Sequence, residues 1–350
     1  MTGDAEGKRK AMQYAKQIDT AGLIQKDVDL IKTETGKATL YISTARPRLK
    51  KSRLVERYNV EKYDLSMGYT CPDFALELIP SDTPEFIDRG ENYVQRIVRA
   101  LAYFKQCALV GPSGTGKTHV VYLVAELAGL PLWEINCGLQ TSTYDLFGRY
   151  IGLGKENWVD GQIVSWCRSG GILYLDEANM MKQDVAARLN PVLDTRGHIV
   201  LTEKDNEIIP RHPRGYVIIS MNPYSSEFAG TKPLNAAFRR RMTGWINFDY
   251  LSGGDKISQE EVELVSSKTD IPFDTAVKVV KVGAELRRQY KAGDLPYGPS
   301  VGDLINWSRL IADGMPPRIA AEEAIVALTS DDPEVQDTVR RVLAMYVETS

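Results

Sequence analysis

The segment GPSGTGKT at residues 111–118 constrains the fold of this chain more than any other feature. It follows the apolar run CALV at residues 107–110 and precedes a helical pattern, so it connects a predicted strand to a predicted helix. In that context the pattern G-x-x-x-x-G-K-[ST] is a phosphate-binding loop, because its glycines allow successive backbone N–H groups to face an anion. The dipole of the following helix favours negative charge at the same place. The sequence therefore predicts a nucleotide-binding α/β domain.

Within this loop the lysine and the threonine have separate predicted roles. Lys117 is expected to place its ammonium group on the β- and γ-phosphates, and the hydroxyl of Thr118 is a predicted Mg²⁺ ligand. ATP and Mg²⁺ are the expected cofactors, although no local pattern separates ATP from GTP. The predicted nucleotide-binding residues are Gly111, Pro112, Ser113, Gly114, Thr115, Gly116, Lys117, Thr118 and His119.

A second motif, GILYLDE at residues 171–177, places two carboxylates at the end of an apolar run. The run predicts a parallel strand that is covered on both faces, and ligands bind at the carboxyl ends of such strands. Asp176 is the second predicted Mg²⁺ ligand, which in P-loop enzymes usually acts through water. Glu177 is the predicted base that orients and polarises the attacking water. This pair favours hydrolysis over binding without turnover.

Amino-acid composition limits the classes of protein to which this chain could belong. Of the 350 residues, 25% are charged and 43% are hydrophobic, which is ordinary for a globular protein. The formal net charge of −3 does not favour nucleic-acid binding. We expect a cytoplasmic protein, because the sequence has no apolar run of membrane-spanning length and its first ten residues are polar. The cysteines form no C-x-x-C pair, and the histidines lack metal-ligand spacing.

Periodicity predicts three domains along the chain. Residues 1–75 carry neither motif and form an N-terminal extension of unknown role, in which residues 27–32 look helical and residues 38–43 alternate like a strand. Residues 76–252 alternate strands with helices, which predicts a doubly wound parallel sheet. Residues 253–350 are helical throughout and predict a small lid domain.

Two further polar sites follow the second motif. Asn222 comes directly after the apolar run at residues 216–220, where its amide can contact the attacking water or the γ-phosphate. The alternative is an Asx turn before Pro223. Arg240 and Arg241 belong to a basic cluster after a short helical pattern. A guanidinium can neutralise charge on a phosphoryl group in the same or a neighbouring subunit, although a solvated helix end is the simpler alternative.

Two insertions and one basic segment leave their roles open. Residues 146–169 are rich in glycine and include Tyr150 and Trp158, and residues 197–215 predict a β-hairpin. Either insertion could line a pore or contact a partner, or its aromatic rings could serve local packing. Residues 46–57 contain six basic side chains, which favour a solvated face or a subunit contact over nucleic-acid binding.

In their order along the chain, four segments resemble the AAA+ ATPases. They are GPSGTGKT at 111–118, ILYLDEAN at 172–179, VIISMNP at 217–223 and LNAAFRRRM at 234–242. The branch that they resemble holds MoxR, CbbQ/NorQ, the gas-vesicle protein GvpN and the small ATPase subunit of cobaltochelatase. The resemblance covers about residues 85–330, and the two insertions resemble the helix-2 insert and the pre-sensor-1 hairpin of that branch.

This resemblance implies a homo-oligomer, a hexameric ring with ATP between its subunits. It makes Asn222 the sensor-1 residue. It makes Arg241 the first candidate for an arginine finger and Arg240 the second, both acting on the neighbour's ATP. The lid helix of relatives often begins G-x-S-P-R. Here Gly302 occupies the position of that arginine, so the resemblance implies no arginine contact from there, and Arg309 is a distant substitute.

The function implied by the resemblance is a Mg²⁺-dependent ATPase that remodels, activates or assembles a protein partner. Relatives commonly work with a protein that has a von Willebrand factor A domain. The alternative is a nucleic-acid translocase or helicase-like motor that uses residues 46–57 as its basic contact. The acidic balance and the absence of a recognisable DNA-binding module favour the protein partner. No membrane association is expected.

Overall fold

A five-stranded parallel sheet lies at the centre of the computed structural model, as the sequence predicts. The structure describes residues 28–32, 38–42, 52–84, 86–88, 90–138, 142–152, 157–223 and 233–347. The strands are β1 (Val28–Lys32), β2 (Ala38–Ile42), β3 (Gln106–Val110), β4 (Leu132–Asn136), β5 (Gly148–Tyr150), β6 (Trp158–Asp160), β7 (Gly171–Asp176), β8 (His198–Leu201), β9 (Glu207–Pro210), β10 (Gly215–Met221) and β11 (Trp245–Asn247).

The order of strands in the sheet is β11–β3–β10–β7–β4, and every pairing is parallel. In the register, Met221 of β10 pairs with Val110 of β3, and Ile219 of β10 pairs with Leu175 of β7. All five strands therefore end at one edge of the sheet. The segments that follow β3, β7 and β10 are the phosphate-binding loop, the acidic pair and Asn222, so the topology brings them together.

Both faces of the sheet are covered by helices, which explains the continuous apolar runs of β7 and β10. The described helices are α1 (Arg53–Tyr58), α2 (Tyr93–Phe104), α3 (Lys117–Ala128), α4 (Thr143–Phe147), α5 (Gln162–Ser169), α6 (Gln183–Leu193), α7 (Ala236–Arg241), α8 (Gln259–Thr269), α9 (Phe273–Ala292), α10 (Val301–Ala312), α11 (Pro317–Ala321), α12 (Ala327–Thr329) and α13 (Pro333–Tyr346), with a π-helical turn at Glu322–Val326. Side chains alternate across β7: Leu173 and Leu175 face one apolar cluster, and Ile172 and Tyr174 face the cluster that contains α3.

One prediction for the N-terminal part of the chain is wrong and another is confirmed. Residues 27–32 are predicted as helix, whereas Val28–Lys32 is a strand. It pairs antiparallel with Ala38–Ile42, the strand that the sequence predicts at residues 38–43. The segment VDLIK contains the β-branched residues Val28 and Ile31, which favour a strand when a neighbouring strand is available for pairing. Further along, Leu54 and Leu65 are fully buried in the cluster around α3. Part of the predicted extension therefore packs on the sheet.

Both insertions form β-hairpins. The predicted hairpin at residues 197–215 is confirmed as β8 paired with β9, and the glycine-rich insertion contains β5 paired with β6. Arg168 of α5 joins the two hairpins, because it contacts Asp160 of β6 at 2.9 Å and Glu207 of β9 at 2.7 Å. Within the described ranges, no helix combines the length and the apolar character needed to cross a membrane.

The last quarter of the chain, from α8 to α13, has an apolar cluster of its own. The predicted domain limits at residues 75 and 252 remain predictions. A buried ion pair joins two of the helices: Arg287 of α9 lies 2.9 Å from Glu261 of α8, and both side chains are fully buried. Arg287 also donates hydrogen bonds to the carbonyl oxygens of Pro299 and Ser252, at 2.6 and 3.1 Å. It therefore ties the linker from the sheet to the start of α10.

Removal of the carboxylate from this pair should destabilise the helical region strongly. We expect Glu261→Ala to lower the free energy of unfolding by about 3–5 kcal/mol, because Arg287 would remain buried without its counter-charge. Urea-induced unfolding followed by circular dichroism measures the change. Arg288→Ala is the control on the partner helix α9, since the exposed side chain of Arg288 forms a surface pair with Glu285 and should contribute little. Equal effects of the two substitutions would contradict the expectation.

Candidate functional site

The phosphate-binding loop connects β3 to α3, as the sequence predicts. Gly114 and Gly116 adopt positive φ angles of 72° and 85°, a region that side chains with a Cβ rarely enter. A Cβ on Gly114 would also lie 2.1 Å from the Cβ of Ser300, which precedes α10. The loop therefore needs glycine here both for its own turn and for contact with the lid helix.

Lys117 begins α3 and is 8% exposed. Its Nζ donates hydrogen bonds of 2.7 Å to the carbonyl oxygens of Gly111 and Pro112, and it lies 3.3 Å from Oδ1 of Asn222. Burial lowers the pKa of Lys117 to about 8, and the nearby carboxylates of Asp176 and Glu177 limit this decrease. The ammonium group of Lys117 and the side-chain amide of Asn222 therefore lie next to each other, although the two residues are 105 positions apart.

The acidic pair lies at the end of β7 on the same cavity. Glu177 has φ 51° and ψ 43°, a left-handed conformation that is uncommon for a residue with a side chain. Its backbone N–H donates to Oδ1 of Asp176 at 3.0 Å, and the hydroxyl of Ser220 donates to the same carboxylate. These contacts hold Asp176 in place, while Glu177 lines the cavity. Uncommon backbone conformations of this kind cluster at functional sites.

A cavity of about 350 Å³ contains most of the predicted site. Of the predicted residues, those that line it are Ser113, Gly114, Gly116, Lys117, Thr118, His119, Asp176, Glu177 and Asn222. Ser220 and Met221 of β10 and Ser300 and Gly302 of the lid complete the lining, although the sequence assigns no role to the first three. A hydroxyl and a carboxylate, from Thr118 and Asp176, are the oxygen donors that Mg²⁺ prefers. The site can therefore hold a phosphate chain and a magnesium ion.

A second, mainly apolar cavity of about 180 Å³ shares Gly114, Gly116 and His119 with the first. Phe86, Tyr250 and Leu251 lie along it, together with Leu264 and Val301 of the lid region. Its position beside the phosphate-binding loop suits the base of a nucleotide. Sequence analysis misses these side chains, because they come from segments far apart in the chain and share no motif.

His119 lies between the two cavities. Its Nε2 is 2.7 Å from the carbonyl oxygen of Pro84, and its ring lies 6.0 Å from the ring of Phe86. The imidazole thus joins the segment that precedes α2 to the phosphate-binding loop. Its position favours support of the second cavity over direct contact with phosphate.

The two arginine-finger candidates lie outside the cavity of their own subunit. Arg241 contacts Asp194 at 3.4 Å and donates a 2.9 Å hydrogen bond to the carbonyl oxygen of Ala237. Hydrogen bonds from Arg196, and to a smaller extent from Arg241, hold the pKa of Asp194 well below its usual range. Arg240 is exposed, and among the described residues it has neither an ion pair nor a hydrogen bond.

The lid presents no arginine to the cavity among the described residues. Gly302 lines the cavity at the position where relatives of this type carry their lid arginine, beside Ser300. Arg309 contacts Asn306 at 3.4 Å and does not line the cavity. Arg287, the buried arginine of α9, lies under the ring of Tyr250 at 4.7 Å. It therefore supports the second cavity from below.

Comparison with known proteins identifies the family to which this chain belongs. Residues 106–242 match the family model described as AAA domain (dynein-related subfamily), and residues 261–346 match CbbQ/NirQ/NorQ C-terminal. The denitrification regulatory protein NirQ of Pseudomonas aeruginosa is 31% identical over 76% of this chain and 99% of its own length. The chain belongs to the MoxR-family AAA+ ATPases.

Two other relatives match a similar share of this chain. Protein CbbQ of Hydrogenophilus thermoluteolus is 31% identical over 73% of this chain and 95% of its own length. Protein NorQ of Paracoccus denitrificans is 30% identical over 75% of this chain and 94% of its own length. As a AAA+ ATPase of this family, the chain binds nucleotide and is an ATP hydrolase.

ATP binding by this AAA+ ATPase should take up a proton above pH 8. Phosphate charge favours the protonated form of Lys117, so the bound lysine keeps a proton that the free lysine loses as pH rises through about 8. We expect uptake of about 0.1 proton at pH 7 and about 0.9 at pH 9, with affinity falling at most about tenfold per pH unit above pH 8.

Titration calorimetry in buffers of different ionisation enthalpy counts these protons. Saturating Mg²⁺ keeps the γ-phosphate of ATP deprotonated between pH 7 and 9, so the count reports on the protein. An unchanged count between the two pH values would contradict the lowered pKa of Lys117.

Proposed function

We propose that this chain hydrolyses Mg²⁺-ATP in a ring of six identical subunits, as the family resemblance implies, and uses the hydrolysis to remodel, activate or assemble a protein partner. The observation that carries the proposal is the meeting of Lys117, Asp176, Glu177 and Asn222 on one cavity. Family membership and the name of NirQ, a denitrification regulatory protein, support a regulatory role toward other proteins. A partner with a von Willebrand factor A domain and a cytoplasmic location are further parts of the proposal.

The predicted site residues have the following proposed roles in hydrolysis. Lys117 and the N–H groups of residues 113–118 bind the β- and γ-phosphates. Thr118 and Asp176 hold Mg²⁺, which when bound neutralises charge on the phosphate oxygens. Glu177 accepts a hydrogen bond from the attacking water and polarises it. Asn222 orients the water or the γ-phosphate, because its amide lies beside the lysine ammonium.

The position of the arginines supports a neighbouring subunit as the source of one further charge. Since neither Arg240 nor Arg241 lines the cavity of its own subunit, each is available only to another copy of the chain. We keep Arg241 as the first candidate, as the family pattern implies. The contact of Arg241 with Asp194 orients it within its own subunit, whereas Arg240 is exposed.

The alternative of a nucleic-acid motor finds little support in the described residues. Residues 46–51 of the basic segment lie outside the described residues. Arg53 lies 3.5 Å from Glu126, and Arg57 lies over the ring of Tyr58 at 5.7 Å. These two side chains therefore take part in contacts within the subunit.

Replacement of the proposed base should separate binding from hydrolysis. We expect Glu177→Gln to lower the rate of ATP hydrolysis by about 10²- to 10⁴-fold while ATP affinity stays within about threefold, because the amide cannot accept a proton. Lys117→Ala should weaken binding itself. Glu134→Gln is the matched control, since Glu134 lies on the neighbouring strand β4 and does not line the cavity. Hydrolysis by Glu177→Gln at the parental rate would overturn the assignment.

The same variant tests the partner. With ATP, Glu177→Gln should hold a protein partner from cell extract that Lys117→Ala does not hold, and the purified partner should change the hydrolysis rate of the parental protein. Hydrolysis is also measured with single-stranded and double-stranded DNA. Strong stimulation by DNA, with affinity that falls as salt rises, would favour the nucleic-acid motor instead.

Mixed rings test the arginine finger. We expect Arg241→Ala to abolish turnover without loss of nucleotide binding, and to regain part of it when mixed with Glu177→Gln subunits. In the mixture, some interfaces pair an intact Glu177 with an intact Arg241. Arg240→Ala is measured in parallel, and Arg239→Ala is the control, because Arg239 lies over the ring of Trp245. If Asp194→Ala reproduces the loss and mixing restores nothing, Arg241 has only a structural role.

A further inference from the structure

A buried tyrosine lies between the two proposed magnesium ligands. Tyr174 precedes Asp176 by two positions on β7, so both side chains emerge on the face that packs against α3. Its hydroxyl is 3.0 Å from Oγ1 of Thr118 in the first turn of α3. Its hydroxyl also lies near the hydroxyl of Ser220 and the carboxylate of Asp176. Four polar groups from three elements therefore form one polar network beneath the cavity.

The hydrogen bonds of the network hold the proposed ligands in place. The carboxylate of Asp176 only accepts hydrogen bonds, and the hydroxyl of Ser220 gives it its single proton. Either hydroxyl can donate in the bond between Thr118 and Tyr174. In both cases at least one lone pair of Oγ1 of Thr118 remains available to a cation.

The side chain of Tyr174 is fully buried. A buried hydroxyl without partners would be costly, so the network also accounts for a tyrosine in an otherwise apolar strand.

We propose that Tyr174 is a positioning residue for magnesium, which orients the hydroxyl of Thr118 through their shared hydrogen bond and packs beside the carboxylate of Asp176. The inference rests on the proposed roles of Thr118 and Asp176. It adds a residue that contacts neither nucleotide nor water and that controls how well the ion is held. Partners of metal ligands in such positions typically change metal affinity by 10- to 100-fold.

A purely structural role for the tyrosine makes a different prediction, and a second tyrosine separates the two. Tyr216 lies on the neighbouring strand β10, in the same apolar cluster, and is equally buried. Its hydroxyl donates a 2.8 Å hydrogen bond to the carbonyl oxygen of Leu65, away from the cavity. Tyr216→Phe therefore removes one buried hydroxyl without touching the proposed metal ligands.

The test is a magnesium titration of nucleotide binding to the full chain, with a fluorescent ATP analogue and without any measurement of turnover. For Tyr174→Phe we expect the Mg²⁺ concentration at half-maximal effect to rise about tenfold, while binding of the metal-free analogue in EDTA stays unchanged. Tyr216→Phe should leave both quantities at their parental values. Thermal unfolding of each variant shows that the comparison is made on folded protein.

Each outcome either supports or contradicts the proposal. If Tyr174→Phe shifts the magnesium midpoint no more than Tyr216→Phe, or weakens metal-free binding equally, the proposal fails. Should Tyr174→Phe not fold, Ser220→Ala replaces it, because it removes the hydroxyl that donates to Asp176 in the same network and should shift the midpoint in the same direction. Thr118→Val and Asp176→Ala distinguish a failure of the proposed metal site from a failure of this inference. If they leave the midpoint unchanged, the proposed metal site is wrong; if they shift it and the network variants do not, only this inference is wrong.

Discussion

The parallel pairing of β10 with both β3 and β7 is the constraint on which the rest of the site depends. Parallel strands have their carboxyl ends at one edge, so the loop after β3, the acidic pair after β7 and the asparagine after β10 lie together. A change of register by one residue would turn their side chains to the opposite face. Burial of the sheet on both faces prevents such a shift, because it would place polar groups in the apolar clusters.

The charges of the site are arranged so that a phosphate chain improves their balance. Lys117 is buried among carbonyl oxygens, and its pKa is lowered to about 8 even though two carboxylates lie nearby. A bound phosphate would favour the protonated lysine, while a cation on Thr118 and Asp176 would balance the acidic pair. The hydrogen bond beneath the cavity from Ser220 fixes the carboxylate before any ligand arrives. Such preorganisation reduces the reorganisation that hydrolysis would otherwise require.

The lid contacts the phosphate-binding loop through backbone and small side chains. Ser300 lies so close to Gly114 that no Cβ fits between them, and Gly302 lines the cavity. The charge of the lid is buried instead: Arg287 connects Glu261, Pro299 and the ring of Tyr250. Arg287 thus fixes the helices of the lid to the wall of the second cavity. The helical region therefore fixes one wall of the second cavity, where we propose that the nucleotide base binds, whereas the proposed catalytic arginine belongs to another subunit.

The sequence alone determined the features that depend on neighbouring residues. The phosphate-binding loop, the acidic pair, the position of Asn222 and the parallel α/β sheet follow from local motifs and from the rule that ligands bind at strand ends. Local propensity was insufficient for residues 28–32, where pairing with β2 decided for a strand. Only the tertiary structure placed Phe86 and Tyr250 on one cavity, Arg241 on Asp194 and Tyr174 between Thr118 and Asp176. Those contacts join residues tens or hundreds of positions apart, and no local pattern encodes which buried hydroxyl will face which ligand.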